Sequence, residues 1–305
     1  MALRAARVFL ATFSPVLFLA SPLCAFRGNA TAPVHGVWIW GTLYVLDDRG
    51  SAESLRDFCR SQDISEVYLS ISGRAGPGTT FGGAFEESEI AGVLALLHGS
   101  RIRVEALLGS IDADQPGMHR NLLLEQVRRI VQFNQKHPRD RFDGIHLDIE
   151  PQQRPENYGP ENRKFLMDLV GTFRAVRALA EADRMSVNAD IPTKLLKGDV
   201  SERRRLLSSL PRLTLMLYEL SSPNDGDNGP RKAEKLRRAS REFLAMAYAG
   251  LSDAHLAEME IALRTADYGD LLPGMLKILD QVNRPNPHYL GWARHSYNDS
   301  LSKVP

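Results

Sequence analysis

The chain has 305 residues, 43% of them hydrophobic and 25% charged, with 38 Lys and Arg against 37 Asp and Glu. That is globular composition, and the near-neutral balance argues against a basic surface of the kind that holds nucleic acid. The short run Arg203-Arg204-Arg205 falls in a helical pattern and reads as a solvated helix face.

Residues 1–25 read as an export signal. Arg4 and Arg7 start it, Val8 to Ala20 is a short apolar run broken by Thr12, Ser14 and Pro15, and Ala25 follows small residues suited to cleavage. An uncleaved membrane anchor is the alternative reading, though the run is short for a bilayer span. The expectation is a secreted or periplasmic chain with no stable membrane insertion. Removing residues 1–25 leaves 36 basic residues (38 less Arg4 and Arg7) against 37 acidic ones. It also removes Cys24 and leaves Cys59 alone, which excludes an internal disulfide. Cys59 lies in a half-apolar helical stretch and reads as a buried structural thiol. No Cys or His cluster has zinc spacing, and Gly73-Arg74-Ala75-Gly76-Pro77-Gly78 opens no helix. No metal or other cofactor is therefore expected.

From Val34 onward, strand-like and helix-like segments alternate. Val34–Trp40 is a β run, followed by a helix near Ala52–Gln62. Glu66–Ser72 and Arg103–Gly109 are the next strands, with helices near Glu87–Gly99 and Arg120–His137. Phe142–Glu150 is the fourth strand, and the helix near Glu161–Ala182 carries Phe165, Leu166, Leu169, Val170, Phe173 and Val176 at helical spacing. Met185–Ile191, Arg212–Glu219, Glu258–Ala266 and Tyr289–Ala293 complete eight strands, with helices at Ser201–Leu210, Lys232–Ala249 and Leu272–Val282 between them. Glu258–Ala266 also reads as a continuing helix. The alternation predicts an α/β fold over residues 26–305, a single (β/α)8 TIM barrel, with an open doubly wound sheet as the alternative. The polar stretch Asn224-Asp225-Gly226-Asp227-Asn228-Gly229 reads as a surface loop, since no bidentate Glu follows at calcium-loop spacing.

Asp143-Gly144-Ile145-His146-Leu147-Asp148-Ile149-Glu150 concentrates the candidate chemistry. Residues two apart on a strand share a face, so His146, Asp148 and Glu150 stand in one row. In such barrels the site lies at the C-terminal strand ends, where Glu150 falls. Strand five adds Asn188 and Asp190, and strand six adds Met216, Tyr218 and then Glu219. Trp38 and Trp40 come from strand one, at least one of them as filler, and Trp292 from strand eight. Carboxylates among aromatic rings suit a carbohydrate, whose C–H faces pack on Trp. Neighbouring carboxylates push their pKa values apart and keep one protonated near neutrality.

These residues resemble glycoside hydrolase family 18, the chitinases and endo-β-N-acetylglucosaminidases. The family's fourth-strand motif is Asp-x-x-Asp-x-Asp-x-Glu, and this chain has Asp143-x-x-His146-x-Asp148-x-Glu150. The family's sixth strand has Met-x-Tyr before an acid or amide, and here Met216-Leu217-Tyr218-Glu219 stands. The resemblance implies that Glu150 protonates the leaving glycosidic oxygen. It implies that Asp148 orients the substrate's N-acetyl group, and that Tyr218 donates to the acetamido oxygen as it attacks the anomeric carbon. The substrate then supplies the nucleophile. Trp292 would lie under the reacting sugar. The departures are His146, where the family has Asp, and Glu219, where Asp is commoner. A neutral His146 donating to Asp148, or a cationic one beside it, would hold Asp148 charged.

Other readings stay open. His146 reads also as a barrel-core histidine, Asp148 and Glu150 as a buried ion-pair network, and Tyr218 as packing. Asn188 and Asp190 would then hydrogen-bond Glu150 or loop backbone. A retaining glycosidase with Glu150 as acid/base and Glu219 or Asp190 as nucleophile is the alternative enzyme. A barrel that binds a glycan or a partner protein without turnover is the alternative of another kind. The expected partner is an oligo- or polysaccharide.

Overall fold

The structure, a computed structural model, describes residues 32–40, 49–71, 86–159, 162–218, 220, 229–253 and 255–297. The export signal, the glycine-rich loop at 73–78, Glu219 and residues 224–228 of the polar loop lie outside them. Among the described residues no helix is long and apolar enough to cross a membrane.

Eight parallel strands close into a barrel in sequence order: β1 (Val34–Ile39), β2 (Glu66–Ser70), β3 (Arg103–Ser110), β4 (Gly144–Ile149), β5 (Ser186–Pro192), β6 (Arg212–Met216), β7 (Glu258–Arg264) and β8 (Tyr289–His295). Between them run α1 (Arg49–Ser61), α2 (Glu87–His98), α3 (Met118–Lys136), α4 (Leu166–Glu181), α5 (Val200–Leu207), α6 (Gly229–Tyr248) and α7 (Leu272–Asn283). Glu258–Arg264 is a strand, pairing with β6 and β8, so the helical alternative there falls. The closed ring likewise removes the open sheet. A one-turn helix, Thr265–Tyr268, and a 3-10 turn, Gly269–Leu271, lead from β7 into α7.

Alternation on the strands sorts side chains into two packed shells. Outward residues such as Val37, Leu69, Ile145, Leu147 and Leu213 join Leu94, Val127, Phe173 and Leu236 of the helices in the main apolar core. Cys59 belongs to this shell, and burial lifts its thiol to about 12, as fits a structural cysteine. Arg203 departs from the solvated-face expectation: it is buried, and its guanidinium donates to the carbonyls of Gly198 and Ala249. The barrel interior holds a smaller cluster of Trp38, Tyr68, Leu107, Ala262 and Ala293, with Trp40 and Tyr218 at its edge. Gly36 matters here: a Cβ on it would stand 2.5 Å from the Tyr68 hydroxyl. Its absence lets Tyr68 cross the barrel and donate to Glu260 at 2.6 Å.

Candidate active site

The interior is charged from the bottom up. At its floor Arg212 of β6 meets Glu66 of β2 at 3.0 Å and Glu105 of β3 at 3.2 Å, with Glu260 of β7 at 3.8 Å. Three carboxylates share one guanidinium, and they divide the charge unequally. Burial alone would raise Glu105, but Arg212 and then His146 overcome it and hold its carboxyl at about 2. Glu66 goes the other way: burial and the adjacent Glu105 outweigh Arg212 and lift it to about 8. Asn188 belongs to this layer. It is fully enclosed, and its amide donates to Thr214 and Glu260 at 3.1 and 3.3 Å. The structure thus places Asn188 at the floor, bonded to Thr214 and Glu260 rather than to Glu150, two residues before Asp190 on β5.

His146 occupies the middle layer with no exposure to solvent, its ring stacked on Tyr68 at 3.8 Å and edge-on to Trp38. Nδ1 is 3.6 Å from Glu105 Oε2, and Nε2 is 3.0 Å from Asp190 Oδ2. Neither nitrogen makes a directed hydrogen bond, so both contacts are ionic. Burial would lower the imidazole, yet Asp190 and then Glu105 lift it to about 10. The imidazolium is therefore present at neutral pH. Its partners correct the expectation that His146 keeps Asp148 charged. Strand side chains stand perpendicular to the chain, so His146 reaches across to β3 and β5 rather than along β4. Asp148 is pushed well above the usual carboxylate range by burial, then by Asp190 and Glu150, with His146 the smallest influence and opposed.

The mouth gathers the other acids. Asp148 is half-buried, with Oδ1 buried and unpartnered. Asp190 is 1% exposed. Trp38 Nε1 donates to its Oδ2 at 3.2 Å, and its Oδ1 has no partner. Glu150 caps the strand, half-buried, and accepts amide N–H bonds from Gln152 at 2.9 Å and from Gln153. Burial and then Asp190 raise Glu150 to about 7. The turn carrying these glutamines is tied down by Arg154, whose guanidinium forks onto both oxygens of Asp114 at 2.6 and 2.9 Å. Tyr218 follows β6 at the same end, its hydroxyl held protonated by burial and by Asp190, Asp148 and Glu150. Met216, one step lower on the same face, is 8% exposed.

Two aromatic expectations part ways. Trp40 stands at the C-terminal end of β1, and its Nε1 donates to His295 Nε2 at 3.0 Å. Trp292 lies on the other face of its strand. It pairs in register with His35 near the start of β1, stacks on that ring at 4.2 Å, and joins the outer apolar core at 5% exposure. It therefore does not reach the mouth. β8 presents Ala293 and His295 inward, and His295 is the residue that arrives, with Trp38, Trp40 and Tyr218 around it.

His295, Gln152 and Gln153 are absent from the sequence-derived set. The glutamines directly follow Glu150, a signal that was available. His295 lies two residues beyond the predicted strand end. Among the described residues no cluster of His, Cys, Asp or Glu has the arrangement of a metal site.

No protein-family model matches the sequence, and no curated protein does. Solved structures do match. The barrel aligns with a GH18 chitinase from Pseudoalteromonas aurantia at a TM-score of 0.54, covering 88% of this chain and 96% of that one at 10% identity. It aligns with the PgaB (BpsB) glycoside hydrolase domain from Bordetella bronchiseptica at 0.54, covering 90% and 96% at 11% identity. What such distant likeness shows is a shared fold, a (β/α)8 barrel of the kind those glycoside hydrolases use.

Proposed function

We propose that this barrel is a glycoside hydrolase acting on a glycan with β-linked N-acetylhexosamine, by substrate-assisted retaining catalysis. The observation that carries the reading is Glu150: a carboxyl at the C-terminal rim, raised to about 7 and gripped by two amides. A group in that range is a competent proton donor at neutral pH. The substrate binds with its acetamide toward Asp148 and Tyr218. Glu150 gives its proton to the glycosidic oxygen as the anomeric C–O bond breaks, and the acetamido carbonyl oxygen bonds to the anomeric carbon. Tyr218 donates a hydrogen bond to that oxygen. Water, deprotonated by Glu150, then opens the cyclic intermediate with net retention. Trp40 and His295 line the cleft wall where a sugar face would rest.

The geometry weighs against Asp190 as a nucleophile. It is 1% exposed, and Trp38 and His146 both engage its Oδ2. Export after loss of residues 1–25 belongs to the same proposal, and N-terminal sequencing of the mature protein tests it.

Hydrolysis of acetylated against non-acetylated oligosaccharides tests the reaction. Cleavage of the acetylated series alone is expected, inhibited by a thiazoline mimic of the cyclised acetamide. Glu150→Gln is expected to lower kcat by about 10² to 10⁴-fold. Oligosaccharide binding with no product from wild type or variant would leave a glycan-binding barrel instead.

A further inference from the structure

Asp148 and Asp190 each hold a buried oxygen, Oδ1 in both, that no group among the described residues meets. The strands that carry them are paired His146↔Asn188 and Leu147↔Ala189. Extending that register by one step puts Asp148 and Asp190 next to each other on the interior face, on strands about 4.8 Å apart. Two ionised carboxylates so placed, each with an orphan oxygen, would be costly twice over, through like charge and through lost hydrogen bonds. A single proton on the pair removes the like-charge cost. The environment also decides which carboxyl keeps the charge. Asp190 Oδ2 faces the Trp38 N–H at 3.2 Å and the His146 imidazole at 3.0 Å. No donor among the described residues reaches Asp148.

We propose that Asp148 and Asp190 form a proton-sharing carboxyl pair across β4 and β5, in which Asp190, pinned by Trp38 and His146, keeps the charge and Asp148 carries the proton.

Every charged neighbour fits this division. From β4, His146 backs Asp190 while Glu150 repels charge on Asp148. From β3, Glu105 lies behind the imidazole at 3.6 Å and helps to keep it cationic. Tyr218, after β6, faces the pair, and its ring is 5.7 Å from the Arg264 guanidinium of β7 and 5.9 Å from His295 of β8. Burial, Asp190 and Glu150 raise Asp148 together, opposed by His146. Whichever carboxyl holds the proton, the pair presents one negative charge to the cleft. That charge steadies positive charge developing on a bound sugar and keeps Glu150 protonated. Asp190 and His146 are thus positioning residues. Their catalytic meaning rests on the glycosidase reading, while the pair itself does not.

The test is carboxyl 13C NMR of the full chain labelled at aspartate, with resonances assigned by D148N and D190N and hydrolysis assayed on the same samples. Asp148 is expected to be protonated at pH 7 and Asp190 ionised. D190N should lower the Asp148 midpoint by more than about one pH unit. H146Q should raise that of Asp190. W38F removes one donor with little loss of bulk, and should raise Asp190 by less, which keeps the test alive if D190N does not fold. An ionised Asp148 at pH 7, or one unmoved by D190N, overturns the pair. The expected titrations with no glycan cleaved keep the pair and remove the glycosidase reading. Cleavage with an Asp148 that titrates normally does the reverse.

Discussion

The floor and the mouth of this barrel both bury a cluster of carboxyls, and they are supplied with counter-charge very differently. At the floor, Glu66, Glu105 and Glu260 share Arg212, and Glu105 stays ionised beside two cations. At the mouth, Asp148, Asp190 and Glu150 crowd together, and the nearest cation, His146, engages Asp190 from below. Arg212 holds the floor charge in place, with Glu66 lifted to about 8 beside it, and the cluster supports the fold. Mouth charge is left in excess, so protons are retained at the end of the barrel where the proposed reaction would take place. Burial acts on both groups. The difference lies in whether a cation is within reach.

Breaking the floor should have the largest effect. Arg212→Met leaves carboxylates enclosed without their counter-ion, and a loss of about 3–5 kcal/mol is expected in denaturant unfolding. An unchanged midpoint would show that the floor acids are already neutral. Breaking the mouth should spare stability and cut turnover. Tyr218→Phe removes one donor to the developing charge, and kcat should fall about 10²-fold with little change in melting temperature.

A milder probe is pH. Glu66 and His146 both have folded values above their unfolded ones, so their contribution is complete below the unfolded value and is lost by the time pH passes the folded one. The melting temperature should therefore fall as pH rises from 4.5 to about 8, for Glu66, and from 6.5 to about 10, for His146. Glu66→Gln should flatten the first part of that fall and leave the second. Activity should decline above about 7 as Glu150 loses its proton. The smallest effect on turnover is expected from Trp292→Phe, since that ring packs outside the barrel. A kcat within about twofold of wild type, with a stability loss of about 1 kcal/mol, would separate the two faces of β8.

The barrel was legible because its signals are local. Eight short apolar runs alternate with amphipathic stretches, and each reads from a window of a dozen residues. The row His146, Asp148, Glu150 was legible for the same reason: two-residue spacing on one strand puts side chains on one face. Strand eight shows where that reasoning stops. In Tyr289-Leu290-Gly291-Trp292-Ala293-Arg294-His295 either alternating set can face inward, because a parallel barrel strand is buried on both sides. The choice is made by neighbours: Trp292 pairs with His35 against β1, and a register shift at Met259/Glu260 adjusts β7 to β8. The large ring went outside, and His295 came in.

The sequence by itself determined the order of elements, the fourth strand as the carrier of the acids, and the end of the barrel where they emerge. Only the tertiary structure decided charge. Whether Asp148 holds a proton depends on Asp190 from another strand, on Trp38 and His146 behind it, and on how much water is left around them. Those are distances between segments far apart in the chain, and electrostatic energy depends on distance and burial rather than on sequence spacing.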